Sequence, residues 1–458
     1  MVNHIAAKRL TELSPQIRPP RSPMPASETA SVLAWYAAIV AIGLNLRPLL
    51  TSISPLMTTI RHDTGLSFYG ASLLTSLPVV AMGLGAFGSG VLARRVGETR
   101  GVALGLVAIA AACAARTFAA SGGALMLTAA AAGAGVAAIQ ALLPAVMKQR
   151  FAARVPLAMG LFSASIMGGG GLGASLSPLV ARSGGSWHVG LAVWALPALA
   201  ALAIWGALNG AFGGARNRCT PRAAAASEQA GPADAHAKAA TVPIWRKRRA
   251  WTLGLHFGLV NGGYTSLVAW LPAYYQQHGA SVETSGSLLA AMTVFQAASA
   301  LLLPLAAAAF ADRRPWLILG LGAQLAGVVG LAAWPETAPL LWVAAAGAGL
   351  GGTFSVTLVT ALDHCADHRV AARLVAFVQG LGFVIAALAP IAAGRVRDLT
   401  GGFTGAWMML AVSISAMIVL TLAFSPRSYG RWHGANSQVA QDLAEDGGVA
   451  QRRAALDA

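Results

Sequence analysis

Arg47 is the residue of this 458-residue chain whose chemistry most needs a purpose. It stands in Leu44-Asn45-Leu46-Arg47-Pro48, inside an apolar run from which its guanidinium reaches neither end easily. No acidic residue is near enough in sequence to pair with it. A guanidinium that stays charged and unpaired in a cavity attracts an anion or a strong hydrogen-bond acceptor, because its planar fork matches two oxygens or an oxygen and a nitrogen. A second use is open to it: capping backbone carbonyls freed where Pro48 and Pro55 interrupt a helix. Asn45 lies two residues earlier, on a different side of a helix from Arg47, so it is either a second ligand or a hydrogen bonder between helices. Other chemistry is scarce. The sequence has no HExxH pair, no nucleophile beside a base and no phosphate loop, and Gly168 to Gly171 lie in an apolar run where a soluble nucleotide could not be cradled. Cys113, Cys219 and Cys365 are scattered without CxxC spacing and read as inert thiols. Neither enzyme, metal nor cofactor is expected.

The elements that carry these residues are set by composition. Hydrophobic residues make up 56% of the chain and charged residues 10%, where a water-soluble domain carries about a quarter charged. A helix crossing a hydrocarbon layer needs roughly 20 residues, and twelve such runs can be laid out: 32–59, 68–91, 101–119, 123–147, 157–180, 187–209, 251–275, 285–310, 316–334, 338–361, 372–396 and 403–425. We number them spans 1 to 12. Residues 1–31 read as a disordered cytoplasmic tail without the pattern of a signal peptide, and 426–458 as a C-tail. Residues 210–250, rich in Ala, Pro and Gly and ending in Arg246, Lys247, Arg248 and Arg249, read as a basic linker between two six-span halves, 32–209 and 251–425.

The net charge of +16 could point to nucleic acid, but its placement decides otherwise. The tails, the linker and the loops on their side of the spans hold 26 of the 32 Lys and Arg, the other side holds 5, and Arg47 stands alone in a span. That asymmetry puts both termini and the linker in the cytoplasm. It also accounts for the basic excess, with Arg246 to Arg249 placed to meet anionic headgroups. Every Asp and Glu falls outside the span cores. Asp63, Glu283, Glu336 and Asp398 sit by one set of loops, Glu98, Asp312, Asp363 and Asp367 by the other, and the rest lie in tails and linker. A proton relay through a carboxylate within the membrane is therefore absent, leaving His256 or the solute itself to carry any coupled proton.

The halves repeat. Gly133-Ala134-Gly135 in span 4 matches Gly347-Ala348-Gly349 in span 10, and Gly168-x-Gly170 with Pro178 matches Gly380-x-Gly382 with Pro390. Gly65-x-Ser67 after Pro55 likewise matches Gly279-x-Ser281 after Pro272. Such glycines let helices approach closely where no hydrophobic force joins them in lipid. Two pseudo-symmetric bundles joined by a linker suit a carrier that rocks, more than a fixed pore.

Gly90, Gly97 and Arg100 keep three positions of the loop motif between spans 2 and 3 by which the chain resembles the major facilitator superfamily, although Arg94 stands where that motif has Asp. The second copy, Asp312-Arg313-Arg314, keeps its acid. The Leu44 to Pro48 segment, Trp270-Leu271-Pro272, and Gln379-Gly380-x-Gly382 with Pro390, Gly394, Asp398 and Gly401 resemble the cyanate and nitroimidazole transporter branch. The resemblance covers residues 32–425. It implies an all-α membrane fold of two six-helix bundles and a carrier of a small polar solute.

It also implies conformational loops at Gly90, Arg94, Gly97, Arg100, Asp312 and Arg313, and helix packing at Gly168, Gly170, Pro178, Gly380, Gly382 and Pro390. Spans 1 and 7 line the cavity in the superfamily. Among polar residues inside spans, Gln140, Asn261, Tyr264, Gln296, Gln324 and Gln379, we rank Tyr264 and Gln379 next to Arg47, with Asn45, Asn261 and Gln140 after them. Arg116 reads as an interfacial residue and His256 as packed or facing the cytoplasm. The expected activity is alternating-access transport of a cyanate-like anion across the inner membrane by a monomer, with export of neutral heterocycles such as 2-nitroimidazole as the alternative. A transport-derived sensor is the rival of another class, though neither linker nor tails suggest a folded signalling domain. Single cysteines placed in the 210–250 linker should react with impermeant reagents only from the cytoplasmic side; labelling from outside would invert the topology.

Overall fold

A computed structural model describes residues 26–151, 155–210, 244–364 and 368–426, and its regular elements are all helical among the described residues. Most of the N-tail, linker and C-tail, with Cys219 and Cys365, lies outside them. Span 1 comes in three pieces, Ala26–Leu44, Pro48–Thr51 and Ile53–Thr64. Spans 2 to 5 are Phe68–Val96, Glu98–Ala115 (extended by a short turn, Arg116–Phe118), Gly122–Phe151 and Val155–Ser183. Span 6 is Trp187–Ala192 and Ala195–Leu208. Spans 7 to 12 are Arg248–Gln277, Val282–Ala307, Arg314–Ala333, Pro339–Asp363, His368–Thr400 and Thr404–Leu422.

Eleven of the described spans are long and apolar enough to cross a membrane. Span 7 has the length, at 30 residues, but carries Asn261, Tyr264, Thr265, Tyr274 and Tyr275 among residues that are nearly all buried. A helix enclosed by other helices meets little lipid and does not need an apolar surface all round. The residues read as the end of the linker are ordered: Ile244–Arg246 form one turn, and Arg248 and Arg249 belong to span 7. Arg249 donates from Nε to His364 Nε2 at 3.1 Å and from Nη1 to the Ala423 carbonyl at 2.7 Å. It thus satisfies a carbonyl left over at the C-terminal end of span 12.

The repeated motifs do the same work in each half. Gly65 and Gly279, at φ +69° and +85°, take the left-handed conformation that closes spans 1 and 7. Ser67 and Ser281 then cap spans 2 and 8 by accepting from the Gly70 and Thr284 amides at 3.0 and 3.1 Å. A Cβ on Gly133 would fall 2.3 Å from Pro78 Cα of span 2, and one on Gly135 would fall 2.6 Å from the Gly105 carbonyl of span 3. The second copy matches: Gly347 would strike the Met292 carbonyl of span 8 at 2.3 Å and Gly349 the Gln324 amide of span 9 at 2.3 Å.

The halves meet where span 2 lies on span 11 and span 5 on span 8. Gly83 approaches the Gly380 carbonyl, and Gly286 the Ala174 carbonyl. The face away from the linker is latched by polar contacts. Asp398 at the end of span 11 accepts from the Phe68 and Tyr69 amides at 3.2 and 2.9 Å, which places a carboxylate on the positive end of span 2. Gln276 donates to the Pro55 carbonyl at 2.8 Å and accepts from Thr58 at 2.7 Å, and Arg182 pairs with Glu283 at 3.6 Å. Replacing Asp398 by Ala removes hydrogen bonds to a charged group, each worth about 1.5–3 kcal/mol. Spin labels at the exposed His62 and Gln277 should then report a larger population of long distances on this face. An unchanged distribution would show that Asp398 holds nothing closed.

Candidate solute site

The site begins with the break in span 1. Asn45 and Leu46 form tight turns back to Ile42 and Gly43, and Arg47 heads the four-residue helix Pro48–Thr51. Span 5 makes room for the break. A Cβ at Gly169 would lie 2.2 Å from the Leu44 carbonyl, and one at Gly173 would lie 2.8 Å from Pro48 Cα. These two glycines, rather than Gly168 and Gly170, carry the backbone contact. Gly168 sees only the Leu44 side chain, and Gly170 sits beside Arg47 Cβ.

Held in this way, Arg47 is 7% exposed, and its guanidinium carbon lies 4.6 Å from the centre of the Tyr264 ring. Its Nε has no hydrogen-bond partner, and among the described residues no carboxylate pairs with it. Arg47, Met167, Val260, Asn261, Tyr264, Gln296, Leu350 and Phe354 line one cleft between the halves, drawn from spans 1, 5, 7, 8 and 10. The cleft is closed down to roughly the space of one water molecule. As closed as this, the cleft has no room for a solute of several heavy atoms. The wall is polar at Arg47, Asn261 and Gln296 and aromatic at Tyr264 and Phe354, without an acid.

Several expected residues lie elsewhere. Asn45 points away from the cleft and donates to the Ala41 carbonyl at 2.8 Å and the Pro197 carbonyl of span 6 at 3.1 Å, so it bonds helix to helix. Gln140 and Gln379 are half-buried and do not line the cleft. His256 is packed between Thr421 and Thr357, at 3.1 and 3.3 Å, and is also outside it. Arg116 is not interfacial: it is fully buried and reaches the Leu49 carbonyl at 3.5 Å and Thr128 Oγ1 at 3.4 Å. It supports the short helix behind Arg47. Gln296 is the cleft residue that the ranking of span amides left low; its span carries no branch motif, so only the packing reveals it.

Of the packing residues in the second half, Gly380 faces Phe87 of span 2, Gly382 faces Phe257 of span 7, and the Pro390 carbonyl accepts from Trp270 at 3.0 Å. Pro178 meets Gly286 of span 8. In the loops, Gly97 turns at φ +81° between spans 2 and 3, with Gly90 in the last turns of span 2 and Arg94 and Arg100 exposed. Nearby, Gln149 of span 4 donates to Glu98 at 2.7 Å. In the second copy Arg313 pairs with Asp363 of span 10 at 3.0 Å. Asp312 accepts from the Arg314 guanidinium and backbone amide, and the guanidinium above all holds its carboxyl below the usual range. Each loop thus ties to the end of the span two places on, although the first copy uses an amide where the second uses an ion pair.

Residues 33–394 match the family described as Major Facilitator Superfamily. The chain belongs to that superfamily. It is 44% identical over 390 residues to the cyanate transport protein CynX of Escherichia coli (strain K12), a match covering 85% of this chain and 96% of that protein. It is 29% identical over 399 residues to the 2-nitroimidazole transporter of the same organism, covering 85% and 95%. Among solved structures, a crystal structure of a D-xylose-proton symporter superposes with a TM-score of 0.70 at 15% identity, covering 86% of this chain and 98% of the other, and at that identity shares the fold. The chain is a multi-pass membrane protein and a secondary transporter of the major facilitator type, not an enzyme.

The ring of Tyr264 holds the Arg47 guanidinium by a cation–π contact, worth about 2 kcal/mol or more when desolvated. Tyr264→Phe should keep solute affinity near that of the parent protein, while Tyr264→Leu should weaken it by roughly 10-fold or more. Equal affinity in all three, measured by calorimetry, would mean that the ring does not position Arg47.

Proposed function

We propose that the protein carries a small cyanate-like anion across the cytoplasmic membrane by alternating access, with Arg47 as the cation that binds it. The observation that supports this most is the guanidinium itself, buried and facing a cleft between the halves with no carboxylate partner among the described residues. A buried charge without a partner is costly, and an anion in the cleft supplies the missing one. The high identity to a protein named as a cyanate transporter agrees with this. With the linker side in the cytoplasm, the latch at Asp398 and Gln276 closes the outer face, and the cleft is reached by parting the halves on one face or the other. Absence of a carboxylate from the cleft fits a carrier whose solute, rather than a side chain, supplies the negative charge.

A second reading has its own observation. Tyr264 and Phe354 offer flat walls beside Arg47, and a nitro group presents two oxygens to the guanidinium fork, as a 2-nitroimidazole would. Counterflow in proteoliposomes separates the two. Arg47→Lys keeps the charge but loses the fork and should weaken a bidentate acceptor by about 1–3 kcal/mol. Arg47→Gln should weaken cyanate far more than a neutral nitroheterocycle, since only the anion draws on net charge in a site of low dielectric. Normal insertion of Arg47→Gln with parental transport of every solute would make Arg47 a packing residue and overturn the proposal.

A further inference from the structure

Two side chains in the cleft have polar atoms without partners among the described residues, and they come from opposite halves. One is Arg47 Nε of span 1; the other is Gln296 Oε1 of span 8, on a residue 5% exposed. Gln296 differs from Asn261, the other amide in the cleft, whose Nδ2 is committed to the Phe257 carbonyl at 2.9 Å. The backbone of Gln296 is fixed, since a Cβ on Gly351 of span 10 would strike its carbonyl oxygen at 1.9 Å. Its amide is not. No hydrogen bond within the described residues decides which end of that amide faces the solute, and a buried polar group in that state asks for an explanation.

We infer that Gln296 is the second anchor of the solute and reads the end remote from Arg47. This rests on Arg47 being the solute-binding cation. A guanidinium only donates, so it takes an acceptor end of the solute, whereas an amide presents two N–H donors one way round and a carbonyl acceptor the other. Turned with its –NH2 inward, Gln296 meets a second acceptor, such as the far end of cyanate. Turned the other way, it accepts from an N–H, such as that of a nitroimidazole ring. The solute class that follows is a small linear or planar molecule with an acceptor at one end and either an acceptor or an N–H donor at the other. Because the anchors belong to different halves, a solute held by both also draws spans 1 and 8 together.

Binding of cyanate and of 2-nitroimidazole to the purified full-length protein tests this by calorimetry. Gln296→Met keeps the volume without the hydrogen bonds and should weaken both solutes by roughly 10-fold, while Gln140→Met, an amide outside the cleft, leaves both within about twofold. Gln296→Asn, which pulls the amide back by one carbon, should act in the same direction and serves if the Met variant does not fold. Parental affinity for both solutes in a folded Gln296 variant overturns the role of Gln296 while leaving that of Arg47. Binding of only one solute by the parent protein overturns the two-way amide. Binding of neither overturns the solute class and this proposal with it.

Discussion

A guanidinium held inside a membrane protein with no carboxylate partner among the described residues is the constraint around which the first half is built. Taking such a group out of water costs several kcal/mol after relaxation, and the structure returns part of it through the Tyr264 ring 4.6 Å away. Reaching that ring requires Arg47 to leave the line of a regular helix, and three features let it do so. Pro48 starts a new four-residue helix, Gly169 and Gly173 let span 5 close over the break, and Arg116 holds the Leu49 carbonyl from behind. What the described residues do not return is a negative charge, which on our proposal the solute provides.

The same geometry links binding to movement. The cleft is lined from both halves, so a solute bridging Arg47 and the walls of spans 7, 8 and 10 interacts with the two bundles at once. The halves meet on contacts where glycines bring backbones close, Gly83 on the Gly380 carbonyl and Gly286 on the Ala174 carbonyl, with the Phe87 ring of span 2 packed on Gly380 and Phe377 of span 11. Polar ties also cross between them, from Asp398 to the end of span 2 and from Gln276 to Pro55 and Thr58. This carboxylate lies in the seam between the bundles and outside the cleft.

Much of the fold was legible in the sequence because hydropathy acts over whole spans, and because the paired motifs Gly133/Gly347, Gly65/Gly279 and Ser67/Ser281 have one structural job each. Arg47 was legible because a lone charge in an apolar run has few uses. Side-chain direction was not. Asn45 and Arg47 are two residues apart, and the break between them turns Asn45 toward span 6; Gln296 and Gln140 look alike in sequence, and only packing puts one in the cleft. Arg116 looked interfacial because it lies at a span end, yet the opened backbone of span 1 gave it a buried carbonyl to bind. The rank of Gln379 rested on the motifs of its span, whose glycines face Phe87 and Phe257.

The most direct test is the structure of the protein crystallised with saturating selenocyanate, a linear anion whose selenium scatters anomalously. One strong anomalous peak is expected in the cleft, with the anion within hydrogen-bond distance of the Arg47 guanidinium. Co-crystals grown at saturating anion that place it elsewhere, with Arg47 still packed on Tyr264 and the cleft empty, would overturn the role of Arg47.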